Sequence, residues 1–249
     1  DKYAPRGFKD LISDQRLNRK VLGWVKQWDA LVFGSARSRK SAAAAAAATG
    51  RPEPPLRPER PLLLLSGPPG LGKTTLVHTV ARHAGYRVVE VNASDDRTAK
   101  ALRQRVKDAA EFQPVFVSDK THERDRPALV VLDEIDGAVG SGAEGGAIGE
   151  LLRLVKEVPA AARDGDGGGG SAPRPASLFS PEAAAPKAAS GILRPIICIC
   201  NDLYAPALRP LREVAELVEF RGGSSAALSS RLQSICSNEG LAAESQALQ

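Results

Sequence analysis

Nine consecutive residues, Gly67-Pro68-Pro69-Gly70-Leu71-Gly72-Lys73-Thr74-Thr75, have the composition and spacing of a phosphate-binding loop, or P-loop. In such a loop, backbone N–H groups and a helix N-terminus point at phosphate oxygens, so an anion binds with little help from side chains. Lys73 adds a mobile positive charge at the β and γ phosphates of a nucleotide, and the Thr74 hydroxyl is placed to ligate magnesium.

Two acids follow at Asp133-Glu134, after four apolar residues that carry the chain to the carboxyl edge of a sheet. Asp133 is suited to hold the magnesium ion through water, and Glu134 to orient and deprotonate an attacking water. Asn201, a neutral side chain with both donor and acceptor groups, follows Ile196–Cys200, from where it would contact the γ-phosphate and that water together. Cys198 and Cys200 share one face of this segment and read as core thiols.

These side chains need rigid elements behind them. Leu62–Leu65, Val88–Val91, Leu129–Leu132, Ile196–Cys200 and Leu217–Phe220 are short aliphatic or apolar runs, read as five strands. Between them lie helical patterns: Leu76, Val77, Val80, Ala81 and Ala84, stopped at Gly85; Thr98 to Phe112 with Leu102, Val106 and Ala109; and Ile148, Leu151, Leu152 and Val155. Strands without alternation, separated by helices, predict an α/β fold with a parallel five-stranded sheet covered on both faces. Asn18 to Phe33 reads as one amphipathic helix with Trp24 and Trp28 on a packed face, and Ala226–Cys236 as a helix opening a small subdomain.

Residues 34–61 and about 160–191 are Ala-, Pro- and Gly-rich and are expected to be flexible insertions. The predicted organisation is an N-terminal segment and helix over 1–33, an insertion over 34–61, a core over 62–222, and a helical region beginning at 223–249.

The 249 residues, 43% hydrophobic and 25% charged, suit a globular protein with a substantial core and argue against a wholly disordered chain. No apolar run approaches membrane-spanning length and no secretion signal opens the sequence, so an intracellular, non-membrane protein is expected. The three cysteines provide neither an even disulfide set nor a four-ligand metal spacing. Residues 1–61 carry 13 Lys/Arg against 6 Asp/Glu, a weak indication of an acidic partner. The absence of any Met, even at position 1, is expected of a piece of a longer protein.

The motifs together resemble AAA+ P-loop ATPases of the clamp-loader type, similar to replication factor C. Lys2-Tyr3-Ala4-Pro5-Arg6 resembles the family's N-terminal motif near the adenine, Val91-Asn92-Ala93-Ser94-Asp95 its signature after the second strand, and Leu132-Asp133-Glu134-Ile135-Asp136 its acidic motif. Finer features, namely Trp24 to Asp29, His83 to Tyr86, Asn92 to Arg97 and Arg194 to Asp202, look most like the large subunits of the cohesion-associated, chromosome transmission fidelity branch. The resemblance implies ATP and magnesium as cofactors and Tyr3 and Arg6 on the nucleotide. It also implies a nuclear protein working with small replication factor C subunits in a hetero-pentamer. Such an assembly uses ATP to load a ring-shaped sliding clamp at primer–template DNA. Lys100, Arg103 and Lys107, on one face of their helix, are candidates to meet that DNA.

Two departures accompany the resemblance. Where small subunits carry Ser-Arg-Cys before the fifth strand, this chain has Glu213-Val214-Ala215, so the arginine finger is missing. The family's lid arginine falls beyond Gln249. A checkpoint-type clamp loader and a nucleotide-dependent scaffold with negligible hydrolysis remain as alternatives.

Overall fold

The computed structural model describes residues 2–5, 7–34, 58–93, 104, 126–137, 147–156, 192–221 and 225–241. The expected insertion over 34–61 apart from 34 and 58–61, the whole of that over about 160–191, and the expected helix over 98–112 apart from Gln104 lie outside these residues.

Five strands, β1 (Leu62–Ser66), β2 (Arg87–Asn92), β3 (Ala128–Asp133), β4 (Ile196–Cys200) and β5 (Ala215–Glu219), form one parallel sheet in the order β2-β3-β4-β1-β5. Every residue of β1 and β4 is buried, as their unbroken aliphatic runs require in strands with neighbours on both edges and helices packed against the sheet. Full burial of each leucine in Leu62–Leu65 contributes on the order of 1.5–3 kcal/mol before conformational entropy is counted.

The fifth strand starts two residues earlier than the sequence pattern indicates and stops before Phe220. Register explains the difference: β1 pairs along its whole length, from Leu62 with Ala215 to Ser66 with Glu219. The free edge of β5 is partly covered by cations, since Arg60 Nη1 and Lys20 Nζ donate to the carbonyls of Ala215 and Leu217, each at 3.0 Å. Charged groups there disfavour pairing with another strand.

The flanking helices are α1 (Gln15–Lys26), α2 (Asp29–Val32), α3 (Lys73–His83), α4 (Ala147–Lys156), α5 (Arg209–Val214) and α6 (Ser225–Asn238). Asp14 caps α1 by accepting from the Arg16 N–H at 2.8 Å. The single helix expected from Asn18 to Phe33 is instead two, α1 and α2. Trp28 N–H bonds to Val25 three residues back, at 3.1 Å, and this tighter turn ends the α1 pitch. Trp24 and Trp28 still share a buried face, edge to face with centroids 6.0 Å apart, as a packing pair. On α4 the buried apolar residues are Ile148, Leu151 and Leu154, with Leu152 and Val155 only partly buried.

Candidate functional site

The turn between β1 and α3 is shaped by glycine. A Cβ on Gly67, at φ +150°, would stand 2.3 Å from the carbonyl oxygen of Phe220, so no side chain fits where the chain leaves β1. Gly72 occupies the N-cap of α3 in a left-handed conformation, φ 88°, and no side chain caps the helix. The first intrahelical bond of α3 runs from Leu76 N–H to Gly72, which leaves the N–H groups of Lys73, Thr74 and Thr75 without intrahelical acceptors at the positive end of the helix. Pro68, Pro69, Gly70 and Leu71 form the solvent-facing part of the loop.

Lys73 is 7% exposed and its ammonium donates to three acceptors: Gly67 O at 2.6 Å, Pro68 O at 2.9 Å and Asn201 Oδ1 at 2.9 Å. Burial holds its pKa below the ordinary lysine value, with Asp133 opposing the shift. Asn201 reaches Lys73 because β4 lies beside β1 and both strands end at the same level, Ser66 opposite Cys200.

On the next strand outward, Asp133 accepts the Thr74 hydroxyl at Oδ2, 3.0 Å away, and the Glu134 N–H at Oδ1, 2.8 Å away. Glu134 has φ 52°, uncommon for a residue with a side chain, and its exposed carboxylate lies 3.5 Å from the Asn92 amide at the end of β2. A 3-10 turn, Ile135–Gly137, follows with Ile135 fully buried, and Asp136 accepts from the backbone N–H groups of Asn201 and Asp202. The carboxyl edge of three adjacent strands therefore brings together a cation, two carboxylates, a hydroxyl and an amide around one group of unpaired helix N–H groups.

Thr74 and Asp133 offer oxygen atoms only, which fits magnesium. Among the described residues no group of three His, Cys, Asp or Glu could hold a metal ion without further ligands. A magnesium ion there would complete its shell with phosphate oxygens and water.

A profile of the ATPase family associated with various cellular activities (AAA) matches residues 63–208, a span that includes every residue of this cluster. The chain belongs to that family. Membership implies a nucleotide-binding fold. Chromosome transmission fidelity protein 18 of Schizosaccharomyces pombe is 37% identical over 250 residues, covering 100% of this chain and 23% of that protein. Replication factor C subunit 1 of the same organism is 31% identical over 252 residues, covering 99% of this chain and 22% of that protein. The chain thus spans less than a quarter of the length of either relative. A solved mutant of RuvB from Thermotoga maritima aligns with TM-score 0.52 at 15% identity, covering 100% of this chain and 59% of that one, a likeness of fold.

Of the residues singled out from sequence, Lys73, Thr74, Asp133, Glu134 and Asn201 meet around the loop. The Tyr3 hydroxyl donates to Glu239 at 2.5 Å, and Arg231 of α6 donates to the Tyr3 carbonyl at 3.3 Å. Arg6, Lys100, Arg103 and Lys107 lie outside the described residues. Cys198 and Cys200 are buried, with burial pushing both thiols up to about 12. Sequence reasoning missed the bonding of Asp136, whose partners are 65 and 66 residues away. Its place two residues after Glu134 is the local signal that could have drawn attention to it.

Proposed function

We propose that this chain is the ATP-binding and hydrolysing region of a clamp-loader large subunit, which helps load a ring-shaped sliding clamp onto primer–template DNA in replication and sister-chromatid cohesion. The observation that carries the reading is the meeting of Lys73, Thr74, Asp133, Glu134 and Asn201 at one sheet edge. The two clamp-loader relatives direct it to this assembly rather than to another ATPase.

In this reading the triphosphate enters the loop 67–75, where the N–H groups of Lys73, Thr74 and Thr75 receive phosphate oxygens. Lys73 exchanges carbonyl acceptors for the β and γ phosphates while keeping Asn201 close. Thr74 and Asp133 would hold a magnesium ion, which would supply positive charge against the phosphates. Glu134, exposed at the edge, takes the proton of the attacking water, and Asn201 orients that water against the γ-phosphate. Tyr3 and Arg6 are assigned to the adenine end on the resemblance of Lys2–Arg6. A cleft of about 610 Å³ lies between residues 9–15 and α6, and one of its lining residues, Arg231, donates to the Tyr3 carbonyl. Lys100, Arg103 and Lys107 are assigned to DNA.

The partners are small replication factor C subunits, a sliding clamp and DNA, and the site of action is the nucleus. The test is reconstitution of the full-length protein with those subunits, scoring clamp retained on primed circular DNA. ATP-dependent retention that is lost in Lys73→Ala supports the proposal. Retention independent of ATP overturns it in favour of a scaffold.

A further inference from the structure

Strands β3 and β4 separate where the chemistry lies. Their pairing runs from Val130 opposite Ile196 to Leu132 opposite Cys198 and ends there. On the outer sides both strands continue in register: β3 pairs with β2 as far as Asp133 opposite Asn92, and β4 pairs with β1 as far as Cys200 opposite Ser66. A gap therefore opens between the β3 and β4 ends, with Asp133 on one lip and Asn201 on the other. Nothing in the sheet ladder fixes its width.

Asp136 crosses this gap. Its Oδ2 accepts the Asn201 N–H at 3.1 Å and the Asp202 N–H at 3.3 Å, joining the turn after β3 to the first two residues after β4. The anchor is firm on both sides. Ile135 is fully buried beside Asp136, and Gly137 N–H closes the turn onto Glu134 O at 3.0 Å. Across the gap, Asp202 Oδ1 accepts the Tyr204 N–H at 2.8 Å and holds the following bend. The Asn201 side chain is thus placed through its own backbone by a carboxylate from the acid-bearing turn.

We propose that Asp136 is a positioning residue that sets the distance between the Asp133–Glu134 lip and Asn201 by holding the Asn201–Asp202 backbone. The inference rests on the reading of the site as an ATPase centre. It gives Asp136 no contact with substrate. It differs from ordinary turn capping because the acceptor comes from the neighbouring strand, 65 residues away, at the point where the ladder has ended. A misplacement near 1 Å at such a centre costs up to about 10²-fold in rate, so the clamp governs turnover more than binding.

The test compares Asp136→Ala, Asp136→Asn, Asn201→Ala and the double variant Asp136→Ala/Asn201→Ala in the full-length protein assembled with its partner subunits. Asp136→Ala should lower kcat about 10- to 100-fold while ATP affinity, which rests on Lys73 and the loop, changes little. Asp136→Asn should recover most of the rate, because an amide oxygen still accepts N–H groups. The double variant should be no slower than Asn201→Ala alone. Hydrogen exchange at the amides of Asn201 and Asp202 should quicken about tenfold in Asp136→Ala, the loss of a hydrogen bond to a charged acceptor, and much less in Asp136→Asn.

Additive losses in the double variant, or an Asp136→Asn as slow as Asp136→Ala, would overturn the positioning role. Unchanged exchange at both amides would overturn it as well. Failure of the parent protein to bind ATP, or turnover in its assembly that neither Lys73→Ala nor Glu134→Gln changes, would instead remove the reading of this site as an ATPase centre, and the exchange measurement would still decide whether Asp136 holds this backbone.

Discussion

Lys73 Nζ donates to Asn201 Oδ1 at 2.9 Å, joining the phosphate loop to the end of β4 across 128 residues of sequence. The bond follows from strand order, since β4 lies beside β1 and ends level with it. With Gly67 O and Pro68 O as the other two acceptors, all three ammonium donors are satisfied before any nucleotide arrives. These bonds offset part of the desolvation that lowers the Lys73 pKa, and an entering phosphate replaces neutral carbonyls with charged oxygens, a stronger acceptor set.

That exchange separates two roles. Lys73→Ala removes the charge that meets the phosphates, and ATP binding should weaken about 10- to 100-fold, the equivalent of hydrogen bonds to a charged group. Glu134→Gln keeps the loop intact, so it should bind ATP normally and lose about 10²–10⁴ in turnover. Binding of a fluorescent ATP analogue and phosphate release in the assembled complex measure the two effects. An equal loss of binding in both variants would contradict the assignment.

Gly67→Ala tests the turn itself. The added Cβ would meet Phe220 O at 2.3 Å in a backbone conformation that side chains rarely adopt, and β1 and Phe220 are both buried, which leaves little room to yield. A destabilisation of roughly 2–4 kcal/mol is expected in denaturant unfolding, along with loss of nucleotide binding. A variant as stable as the parent would show that the Phe220 segment moves freely.

Much of this architecture is readable from the sequence because its signals are local. The phosphate loop is contiguous, and Leu62–Leu65 and Ile196–Cys200 are aliphatic without alternation because both strands are interior. What is not readable depends on contacts distant in sequence. The start of β5 at Ala215 is set by register with Leu62, and the Asp136 bonds reach Asn201 and Asp202, 65 and 66 residues along the chain. The break after α1 is short-range, but it comes from a tightened turn at Trp28 that an amphipathic period does not distinguish from continuous helix. Leu154 is buried on α4 although it falls outside the predicted stripe, because tertiary packing decides which face of a short helix is covered.

The thiols give a prediction about pH. Cys198 and Cys200 are pushed up to about 12 chiefly by burial, so a thiol reagent at pH 8 should label the half-buried Cys236 on α6 and spare the other two until the protein unfolds. The folded state keeps protons that the unfolded chain loses above its thiol pKa near 9. Unfolding free energy should therefore be unaffected by these groups below that pH and fall as pH rises from about 9 towards 12. Labelling of more than one cysteine in the native protein, counted by mass spectrometry, would contradict their burial.

The assignment of Lys100, Arg103 and Lys107 to DNA predicts a change in salt dependence. Reversing all three charges should weaken binding to primer–template DNA. The slope of log affinity against log salt should become shallower by about 0.9 for each phosphate that the protein no longer neutralises. Titrations at several salt concentrations give the slope, and an unchanged value would retire the assignment.

Lys73 is the one cation among the five side chains that meet at the loop. Lys73, Thr74, Asp133, Glu134 and Asn201 account for phosphate binding, metal ligation and water activation, but none adds charge against the far side of the transferring phosphoryl group. On the resemblance to clamp loaders, the position that carries an arginine finger in small subunits would fall at Val214, the last residue of α5, followed by the buried Ala215 that opens β5. The nearest arginine in sequence, Arg212, has its guanidinium 5.3 Å from the centre of this chain's own Tyr204 ring, a cation–π pair on the same subunit. This chain is therefore expected to receive a finger from a neighbour without giving one back from Val214, which suits a subunit at an end of the ring. The isolated protein should bind ATP and turn it over slowly, and adding small subunits should raise kcat by up to about 10³–10⁵. Arg212→Ala should leave turnover in the assembled complex unchanged. Fast hydrolysis by the isolated protein, at a rate linear in its concentration, would mean that an arginine within this chain already supplies the missing charge.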